Sequence, residues 1–525
     1  MVIKSIPNLQ PLTEKKLFFL ILLGSFILKG ILVFSLQVPN PDGIVYINAA
    51  REFSQGNFHQ GIQIFPMPLY PLLISLLHYI IPDWLRAAQT ISWLSITLTT
   101  IPLYQITKIL FGRKSALWCS LAYSLAPHFN TYASQLIRGP LGLFMLTMGV
   151  LFALKSLREN RIRNFYLVSL FSLLAFFSRV EFFLFPLFLL FVYLGIILFN
   201  HRHSLFISKG IGAFLITPLA AGILLWLVIG ESFGHAFRLP ELKHYFQLAI
   251  KVDFLSNYHN ISQQLQSLSK SLPNPFYTGN FAETSRHYIW FIYLIPLAET
   301  VSKLIFPTNI IPLLYKSPAE KYNRNHFFII GIIFLFTASS YFFLISNNFI
   351  QKRYLMIPAF FLFPWIGNGL YHLYNLAANY NNKKNLAVGL FILLFLLAPT
   401  IKTIRYAGEN NISLKDAGLW LEHHLGAKKD IMLISNDKRI PFFAHLDKSF
   451  ILIPFEDLQQ IEDYARKNKG QLISLVISQK RKNLLPAFKN YKIIQEFHDR
   501  KNIVIIAEDK HDNFLRNIKN NNIND

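Results

Sequence analysis

The chain has 525 residues, of which 53% are hydrophobic, only 15% are charged, and 50 are phenylalanine. Apolar runs long enough to cross a bilayer recur through residues 1–402, which predicts a polytopic α-helical membrane protein. This composition excludes a soluble enzyme, a disordered scaffold and a small disulfide-stabilised domain. The single cysteine, Cys119, excludes an intramolecular disulfide and any cysteine-rich zinc or iron–sulfur site.

The net charge of +23 is unevenly distributed along the chain. Residues 1–402 contain 31 Lys and Arg against 12 Asp and Glu, whereas residues 403–525 contain 20 against 16. The basic excess therefore lies in the membrane half, where it indicates membrane topology and contact with anionic lipid headgroups. No basic surface studded with aromatic residues indicates nucleic-acid binding.

The first apolar run follows Lys15 and Lys16 and predicts a signal anchor. It is too long for the core of a cleavable signal peptide, and no small-residue cleavage site follows it. Eleven spans are predicted, at 17–38, 87–110, 115–132, 140–156, 164–178, 182–199, 210–229, 286–306, 326–346, 354–374 and 385–402.

Lys and Arg in the short loops orient these spans. The loops assigned to the inside contain Arg113, Lys114, Lys155, Arg158, Arg161, Arg163, Arg202, Lys209, Lys316, Lys321, Arg324, Lys383 and Lys384. This pattern predicts a plasma (inner) membrane protein with a cytoplasmic N-terminus and an extracytoplasmic C-terminus. It holds if Pro68–Pro82, which is short and bracketed by prolines, forms a re-entrant or interfacial helix. The long outer elements are then 39–67, 230–285 and 403–525.

Three domains are predicted: a transmembrane domain at 1–402, a small extracytoplasmic α/β domain at 403–510 and a disordered tail at 511–525. In the α/β domain, Leu414–Leu425 is predicted as a helix with Ser413 as its N-cap and Asp416 at the third position. A second helix is predicted at Phe455–Lys467. The predicted strands are Ile431–Ile434, Phe450–Ile453, Leu472–Ile477, Lys492–Glu496 and Ile503–Ala507.

The first outer loop contains Asp42 between two prolines and a glycine, a few residues after the first span. In one interpretation Asp42 caps an interfacial helix. In the other, its carboxylate is held at the membrane surface to deprotonate an acceptor hydroxyl. The spacing of Tyr46, Ala49, Ala50 and Phe53 gives the following helix a face that could lie on the bilayer.

Several cations lie at outer junctions, against the positive-inside trend. They are Arg138, Arg179 with its neighbour Glu181, and Lys352 and Arg353 followed by Tyr354. Each could reach up to the lipid headgroups, and several together could form a phosphate site. The histidines show no metal-binding spacing, so no protein-made metal cage is predicted.

Ordered motifs along nearly the whole chain resemble the C-superfamily of integral-membrane glycosyltransferases. They are P-D-x-x-x-Y-x-x-A-A-R-E from Pro41, P-L-Y-P from Pro68, F-G-R-K from Phe111, S-R-V-E from Ser178 and K-R-Y-L-x-x-P from Lys352. The nearest resemblance is to the family 39 type, which includes protein O-mannosyltransferases, lipid A aminoarabinose transferases and bacterial lipid A or core sugar transferases. The segment from Asp416 to Pro454 is similar to their outer α/β domain.

The resemblance implies a polyprenyl-phosphate sugar as donor and inverting transfer on the outer face. Asp42 matches the catalytic aspartate, and Arg353 lies where the family places basic groups near the lipid phosphate. Arg138, Arg179 and Lys352 are the further candidates for that phosphate. Tyr46, Arg51, Glu52, Glu181 and Tyr354 are the candidate residues of the substrate loop and its neighbourhood.

The chain departs from the family at three places. Gly43 follows Asp42 where an acidic residue is frequent, no carboxylate precedes the P-L-Y-P helix, and Gly139 stands where many relatives have an acid. Either one carboxylate suffices, or the acceptor chemistry differs, or the chain is an inactive partner subunit. The alternative functions are a polysaccharide polymerase and a lipid-linked-sugar transporter. No cofactor is required by this chemistry, and the sequence leaves open a divalent metal at Asp42 as well as the identities of sugar and acceptor.

Overall fold

The structure is a computed structural model. It describes residues 13–199, 201–243, 247, 255–271, 275–315, 322–378, 390, 395, 397–406, 411–425, 432–446, 450–453, 463–464, 467, 472–479 and 491–510.

The described helices form a membrane bundle followed by a small helix pair in the C-terminal domain, which is called the outer domain below because residues 403–525 are predicted to lie outside. In chain order they are α1 Glu14–Ser35, α2 Pro41–Ser54, α3 Phe58–Ile64, α4 Leu69–His78, α5 Trp84–Leu98, α6 Thr100–Phe111, α7 Arg113–Leu125, α8 Pro127–Thr131, α9 Gly139–Arg158, α10 Ile162–Ser178, α11 Leu184–Phe199, α12 His201–Ile229, α13 Phe233–Ala236, α14 Ser256–Ser271, α15 Pro275–Ile292, α16 Leu294–Ile305, α17 Ile310–Leu314, α18 Arg324–Asn347, α19 Met356–Phe361, α20 Phe363–Ala378, α21 Ile412–Leu425 and α22 Arg439–Phe443. Residues 397–406 are also helical.

Seven helical stretches within the described part of the chain are long and apolar enough to cross a membrane. They are Glu14–Ser35, Trp84–Phe111, Gly139–Arg158, Val180–Phe199, Leu205–Ala236, Glu283–Ile305 and Arg324–Asn347. At 1.5 Å per residue, twenty residues of helix span about 30 Å, the thickness of the hydrocarbon core. Each coincides with a predicted span, which confirms a multi-pass helical membrane protein.

The remaining predicted spans have other forms. The span at 164–178 is a 17-residue apolar helix. Those at 115–132 and 354–374 are each divided between two successive helices, and most of 385–402 lies outside the described residues. Within Pro68–Pro82, α4 has 10 residues, about 15 Å, and is too short to cross a bilayer. This length agrees with the predicted re-entrant or interfacial helix.

Small residues let several helices of the bundle approach closely. A Cβ on Gly367 in α20 would lie 2.4 Å from the Cβ of Cys119, and one on Gly369 would overlap the backbone carbonyl of Pro312. Lipid tails offer helices no net hydrophobic gain on association, so such close van der Waals contact is a main source of bundle stability. Cys119 is buried in this contact.

The outer domain contains a mixed five-stranded sheet, and its five strands lie where the sequence predicts strands. Its strands are β1 Leu433–Ser435, β2 Phe450–Leu452, β3 Leu472–Ser478, β4 Tyr491–His498 and β5 Asn502–Asp509. The strand order is β2-β1-β3-β5-β4, with parallel pairing of β1 to β2 and β3 and antiparallel pairing of β5 to β3 and β4. The central strands β3 and β5 have buried runs, because both of their faces are covered.

One local prediction in this domain is wrong. Ser413 does not cap the helix, because α21 already begins at Ile412. The Ser413 hydroxyl instead donates a 2.5 Å hydrogen bond to the carboxylate of Asp499, in the turn between β4 and β5. The predicted helix Phe455–Lys467 lies mostly outside the described residues, and the predicted tail 511–525 lies wholly outside them.

The outer domain packs directly on the start of the membrane domain. Val38, just after α1, is buried in the same apolar cluster as Leu414 and Val504. Phe442 of α22 joins the cluster formed by Ile47 of α2 and its neighbours. Lys415 also donates a 2.9 Å hydrogen bond to the side chain of Gln37. The first outer loop is therefore held between the two parts of the chain.

Candidate active site

Asp42 lies in the first turn of α2, and its carboxylate does not cap that helix. Asn40 is the N-cap residue and Pro41, with its fixed φ, is the first helical residue. Arg353 Nη1 donates a hydrogen bond to Asp42 Oδ2 over 3.2 Å, which joins residues 311 positions apart. The structure thus brings together the predicted catalytic aspartate and one predicted phosphate ligand.

Gly43 allows the segment before α9 to pack against the start of α2. A Cβ at this position would lie 2.6 Å from the Cβ of Leu136, closer than side chains tolerate. The side-chain oxygen of Asn40 accepts a 3.1 Å hydrogen bond from the backbone N–H of Leu136, which fixes the contact. No carboxylate fits directly after Asp42 in this packing, which gives a physical reason for the first departure from the family pattern.

Arg138 follows this contact and turns its guanidinium toward the aromatic side chains behind Asp42. The guanidinium carbon lies 5.1 Å from the ring centroid of Phe65, and Nη1 is buried without a hydrogen-bond partner among the described residues. Phe65 packs edge-on against Tyr46, with ring centroids 4.7 Å apart. A buried, unpartnered N–H of a cation is costly and is ready to donate to an anion.

Arg179 and Glu181 form an ion pair at the start of the span that follows α10. Arg179 Nε donates a 2.5 Å hydrogen bond to Glu181 Oε1, and a second guanidinium nitrogen also contacts that oxygen. The guanidinium lies 5.8 Å from the ring of Tyr354, and a Cβ on Gly139 would lie 3.9 Å from Arg179 Nη1. The position where many relatives have an acid therefore faces Arg179, whose acidic partner in this chain is Glu181.

Tyr46 is the buried centre of this arrangement. Burial is the main cause that raises the pKa of its hydroxyl, and Asp42 acts in the same direction. The positive charges of Arg138, Arg179 and Arg353 lower that pKa in part. One aspartate and three arginines thus act on a single phenol, so these four predicted site residues surround one region.

The turn Lys352–Tyr354 presents its residues to different surroundings. Arg353 faces Asp42 and lies 5.4 Å from the ring of Tyr354. The amine of Lys352 lies 3.4 Å from Nε2 of His128 instead. The described contacts therefore do not bring Lys352 to Asp42.

Arg51 and Glu52 lie at the far end of α2. They are nine and ten residues after Asp42, or about 13–15 Å along the helix axis. The Arg51 guanidinium lies 5.6 Å from the ring of Phe442 in the outer domain, and Glu52 accepts a 3.0 Å hydrogen bond from Asn57. The structure places Arg51 at the contact with the outer domain and Glu52 beside the loop after α2, both away from Asp42.

Arg238 is a further charged residue of this region, and it belongs to none of the sequence motifs that indicate the site. Burial is the main cause that lowers the pKa of Arg138, and the charges of Arg179 and Arg238 add to this while Glu181 opposes it. Arg238 has φ of +50°, and its buried Nε lies 3.4 Å from Glu241 Oε1 in an ion pair that lacks hydrogen-bond geometry. The available signal in the sequence was its position soon after a span, in the element 230–285 that is predicted to lie outside.

The arrangement combines one exposed carboxylate with a group of guanidinium cations. A carboxylate can accept a proton from a hydroxyl, and arginines can stabilise the charge that develops on a departing phosphate. Among the residues that the structure describes, no group of three or more His, Cys, Asp or Glu side chains could hold a metal ion.

Comparison with known proteins relates part of the sequence and the whole fold to proteins already described. Residues 66–228 match the family model described as dolichyl-phosphate-mannose-protein mannosyltransferase. A search of curated proteins finds no significant match.

Solved structures match over most of the chain. ArnT from Cupriavidus metallidurans in the apo state is 12% identical, with a TM-score of 0.51 over 93% of this chain and 98% of that one. The same protein bound to undecaprenyl phosphate is 12% identical, with a TM-score of 0.50 over 93% of this chain and 97% of that one. The oligosaccharyltransferase AglB from Archaeoglobus fulgidus, in complex with an inhibitory peptide and a dolichol-phosphate, is 13% identical. Its TM-score is 0.51 over 89% of this chain and 70% of that one. The solved structures therefore show the fold of this chain, which is the fold expected from the predicted resemblance, and the family model matches one part of it, residues 66–228.

Proposed function

We propose that this multi-pass membrane protein, which has the fold of the C-superfamily glycosyltransferases, transfers a sugar from a polyprenyl-phosphate carrier to an acceptor hydroxyl. The acceptor is a glycolipid, a glycan or a protein. The observation that carries the proposal is the ion pair of Asp42 with Arg353, beside Arg138 and Arg179. The solved relatives bound to undecaprenyl phosphate and dolichol-phosphate support a lipid-phosphate donor.

In this mechanism Asp42 is the general base. It takes the proton of the acceptor hydroxyl while the hydroxyl oxygen attacks the anomeric carbon from the side opposite the phosphate. The bond between that carbon and the phosphate oxygen breaks, and its electron pair leaves with the lipid phosphate. The configuration at the anomeric carbon is therefore inverted. A positioned base contributes typically about 10²–10⁴-fold to such a rate.

Arg353, Arg138 and Arg179 hold the phosphate in this proposal. Asp42 and Arg353 are both solvent-accessible, so their pairing costs little to open when donor and acceptor arrive. Arg353 can then pass from the carboxylate to the phosphate, and Asp42 becomes free to accept a proton. The unpartnered N–H of Arg138 gives the phosphate a further donor.

The catalytic assignment is tested with the full chain in lipid nanodiscs and a panel of polyprenyl-phosphate sugars. Formation of the free lipid phosphate is measured with the wild type, Asp42→Asn and the control Asp416→Asn, the same change at an exposed position of the outer domain. We expect Asp42→Asn to lose at least about 10²-fold of the rate and the control to keep it. An unchanged rate in Asp42→Asn would refute the assignment.

The same preparation tests the alternative functions. Movement of the lipid-linked sugar across vesicles without bond cleavage would favour a transporter, and growth of a polymer would favour a polysaccharide polymerase.

We also propose that the chain lies in the plasma (inner) membrane with a cytoplasmic N-terminus and the outer domain outside. Because the single cysteine, Cys119, is buried, a cysteine introduced by Asp416→Cys can be labelled selectively. An impermeant maleimide should label it in intact cells, and labelling only after lysis would overturn this orientation.

A further inference from the structure

A second group of cations lies on the other side of the turn that bears Arg353. The amine of Lys352 lies 3.4 Å from Nε2 of His128. The imidazole of His128 lies 5.8 Å from the ring of Tyr406, and the amine of Lys402 lies 5.2 Å from the same ring. We call Lys352, Lys402, His128 and Tyr406, with the nearby Lys303, the lysine cluster.

Among the residues that the structure describes, most of the positive charge of the lysine cluster has no carboxylate partner. Burial is the main cause that lowers the pKa of the Lys352 amine, and the charges of Lys303 and Lys402 lower it further. Lys303 pairs with Glu299 four residues earlier. Within the part of the chain that the structure describes, neither Lys352 nor Lys402 contacts a carboxylate. Like charges held together without an anion repel one another, so the cluster is arranged to receive one.

The cluster is separate from the region around Asp42. Lys352 and Arg353 are consecutive residues of a 3₁₀ turn, in which successive side chains point about 120° apart. Arg353 is occupied by Asp42, whereas Lys352 turns to His128. One turn therefore contributes to two cationic regions. A single phosphate held by Arg353 leaves Lys352 and Lys402 without an anion among the described residues.

We propose that the lysine cluster is a second anion site, which binds a phosphate group. Lysine acts as a compact point charge toward phosphate, and two or three lysines can share its oxygens without the fixed geometry that arginine requires. His128 Nε2 lies within reach of the Lys352 amine and orients it. The phosphate comes either from the headgroup of an anionic membrane lipid or from a phosphate free in solution, which offer the same chemistry. This site does not depend on sugar transfer.

The test measures the rate at which individual lysines of the full chain are acetylated, read by mass spectrometry. Three preparations are compared: phosphatidylcholine nanodiscs, nanodiscs that also contain phosphatidylglycerol, and phosphatidylcholine nanodiscs with inorganic phosphate. We expect one phosphate source to slow acetylation of both Lys352 and Lys402 about fivefold, the scale of one lysine interacting with an anionic surface. Lys15 and Lys492, exposed lysines elsewhere in the chain, report general lipid attraction and general salt effects.

A pair of variants distinguishes a shared site from two separate surface lysines. Lys402→Gln should restore fast acetylation of Lys352, whereas the matched control Lys15→Gln should leave the protection of Lys352 unchanged. Protection by phosphatidylglycerol alone identifies a lipid headgroup, and protection by inorganic phosphate identifies a free phosphate. The proposal is overturned if neither source protects the two lysines, if Lys15 is protected equally, or if Lys402→Gln leaves Lys352 protected.

Discussion

Two carboxylate–arginine pairs lie near Tyr46, and they differ in exposure and in origin. The Asp42 and Arg353 side chains are 51% and 42% exposed and come from opposite ends of the membrane domain. Arg179 is only 7% exposed and pairs with Glu181 two residues later, which is 29% exposed. An exposed pair contributes about 0–1 kcal/mol and exchanges partners readily, whereas breaking a buried pair leaves an unpaired charge. The first pair is suited to open when substrate arrives, and the second to keep the guanidinium of Arg179 fixed at the proposed phosphate site.

Neutralising the acid of each pair in turn is the strongest test of the difference between the two pairs. Glu181→Gln leaves the buried guanidinium of Arg179 without its counter-charge, so we expect the free energy of unfolding to fall by about 3 kcal/mol. Asp42→Asn should change it by less than about 1 kcal/mol. Thermal unfolding of the two variants in the same detergent measures the difference, and equal losses would contradict the assignment of separate roles.

Arg353 should show the reverse pattern, with a large effect on transfer and a small one on stability. A hydrogen bond to a charged group is worth about 1.5–3 kcal/mol, so Arg353→Gln should weaken donor use by about 10- to 100-fold. The unfolding temperature should stay close to that of the wild type. We expect the loss to appear in the dependence of rate on donor concentration, and a variant with unchanged donor dependence would remove Arg353 from the phosphate site.

Two glycines near these pairs offer a matched test of packing. Gly43→Ala places a methyl group 2.6 Å from the Cβ of Leu136, and such overpacking costs about 1–3 kcal/mol. In Gly139→Ala the nearest atom is 3.5 Å away, an ordinary contact, so stability should stay within about 0.5 kcal/mol. The free energy of unfolding in detergent and the transfer rate should both fall in Gly43→Ala and stay unchanged in Gly139→Ala. If Gly43→Ala keeps both the stability and the transfer rate of the wild type, the contact with Leu136 does not fix the position of Asp42.

The smallest expected effect lies in the outer domain, remote from both pairs. Burial by itself would raise the pKa of Asp499. Its carboxylate, however, accepts hydrogen bonds from the Ser413 hydroxyl and from the backbone N–H groups of Lys501 and Asn502. These bonds outweigh burial, so the pKa of Asp499 lies below its ordinary value of 3.8. The carboxylate therefore contributes stability above pH 3.8, which is lost as the pH falls through its lower folded value.

Ser413→Ala should cost about 1 kcal/mol at neutral pH and make the acid dependence shallower. Unfolding of the full chain, followed through the sheet signal as a function of pH, checks this. If the variant and the wild type lose stability in parallel as the pH falls, the hydroxyl does not lower the pKa of Asp499.

The sequence by itself determined the elements whose signals are local. Span lengths follow from apolar runs, and the short helix at Leu69–His78 follows from its bracketing prolines. The strands of the outer domain follow from their length and β-branched residues. The position of Asp42 just after the first span was also visible. The local prediction that Ser413 is an N-cap is nevertheless wrong, because a residue suited to capping can form its hydrogen bond with another partner, here Asp499.

Only the tertiary structure decided which charged groups meet. The pairing of Asp42 with Arg353 spans 311 positions, and no local pattern states which of two neighbouring cations, Lys352 or Arg353, turns toward it. The close contact at Gly43 and the approach of Arg238 depend likewise on how helices pack. The physical reason is that hydrophobic periodicity acts over a few residues and fixes elements. Electrostatic partners are chosen later, by packing that brings distant segments together and removes water from between them.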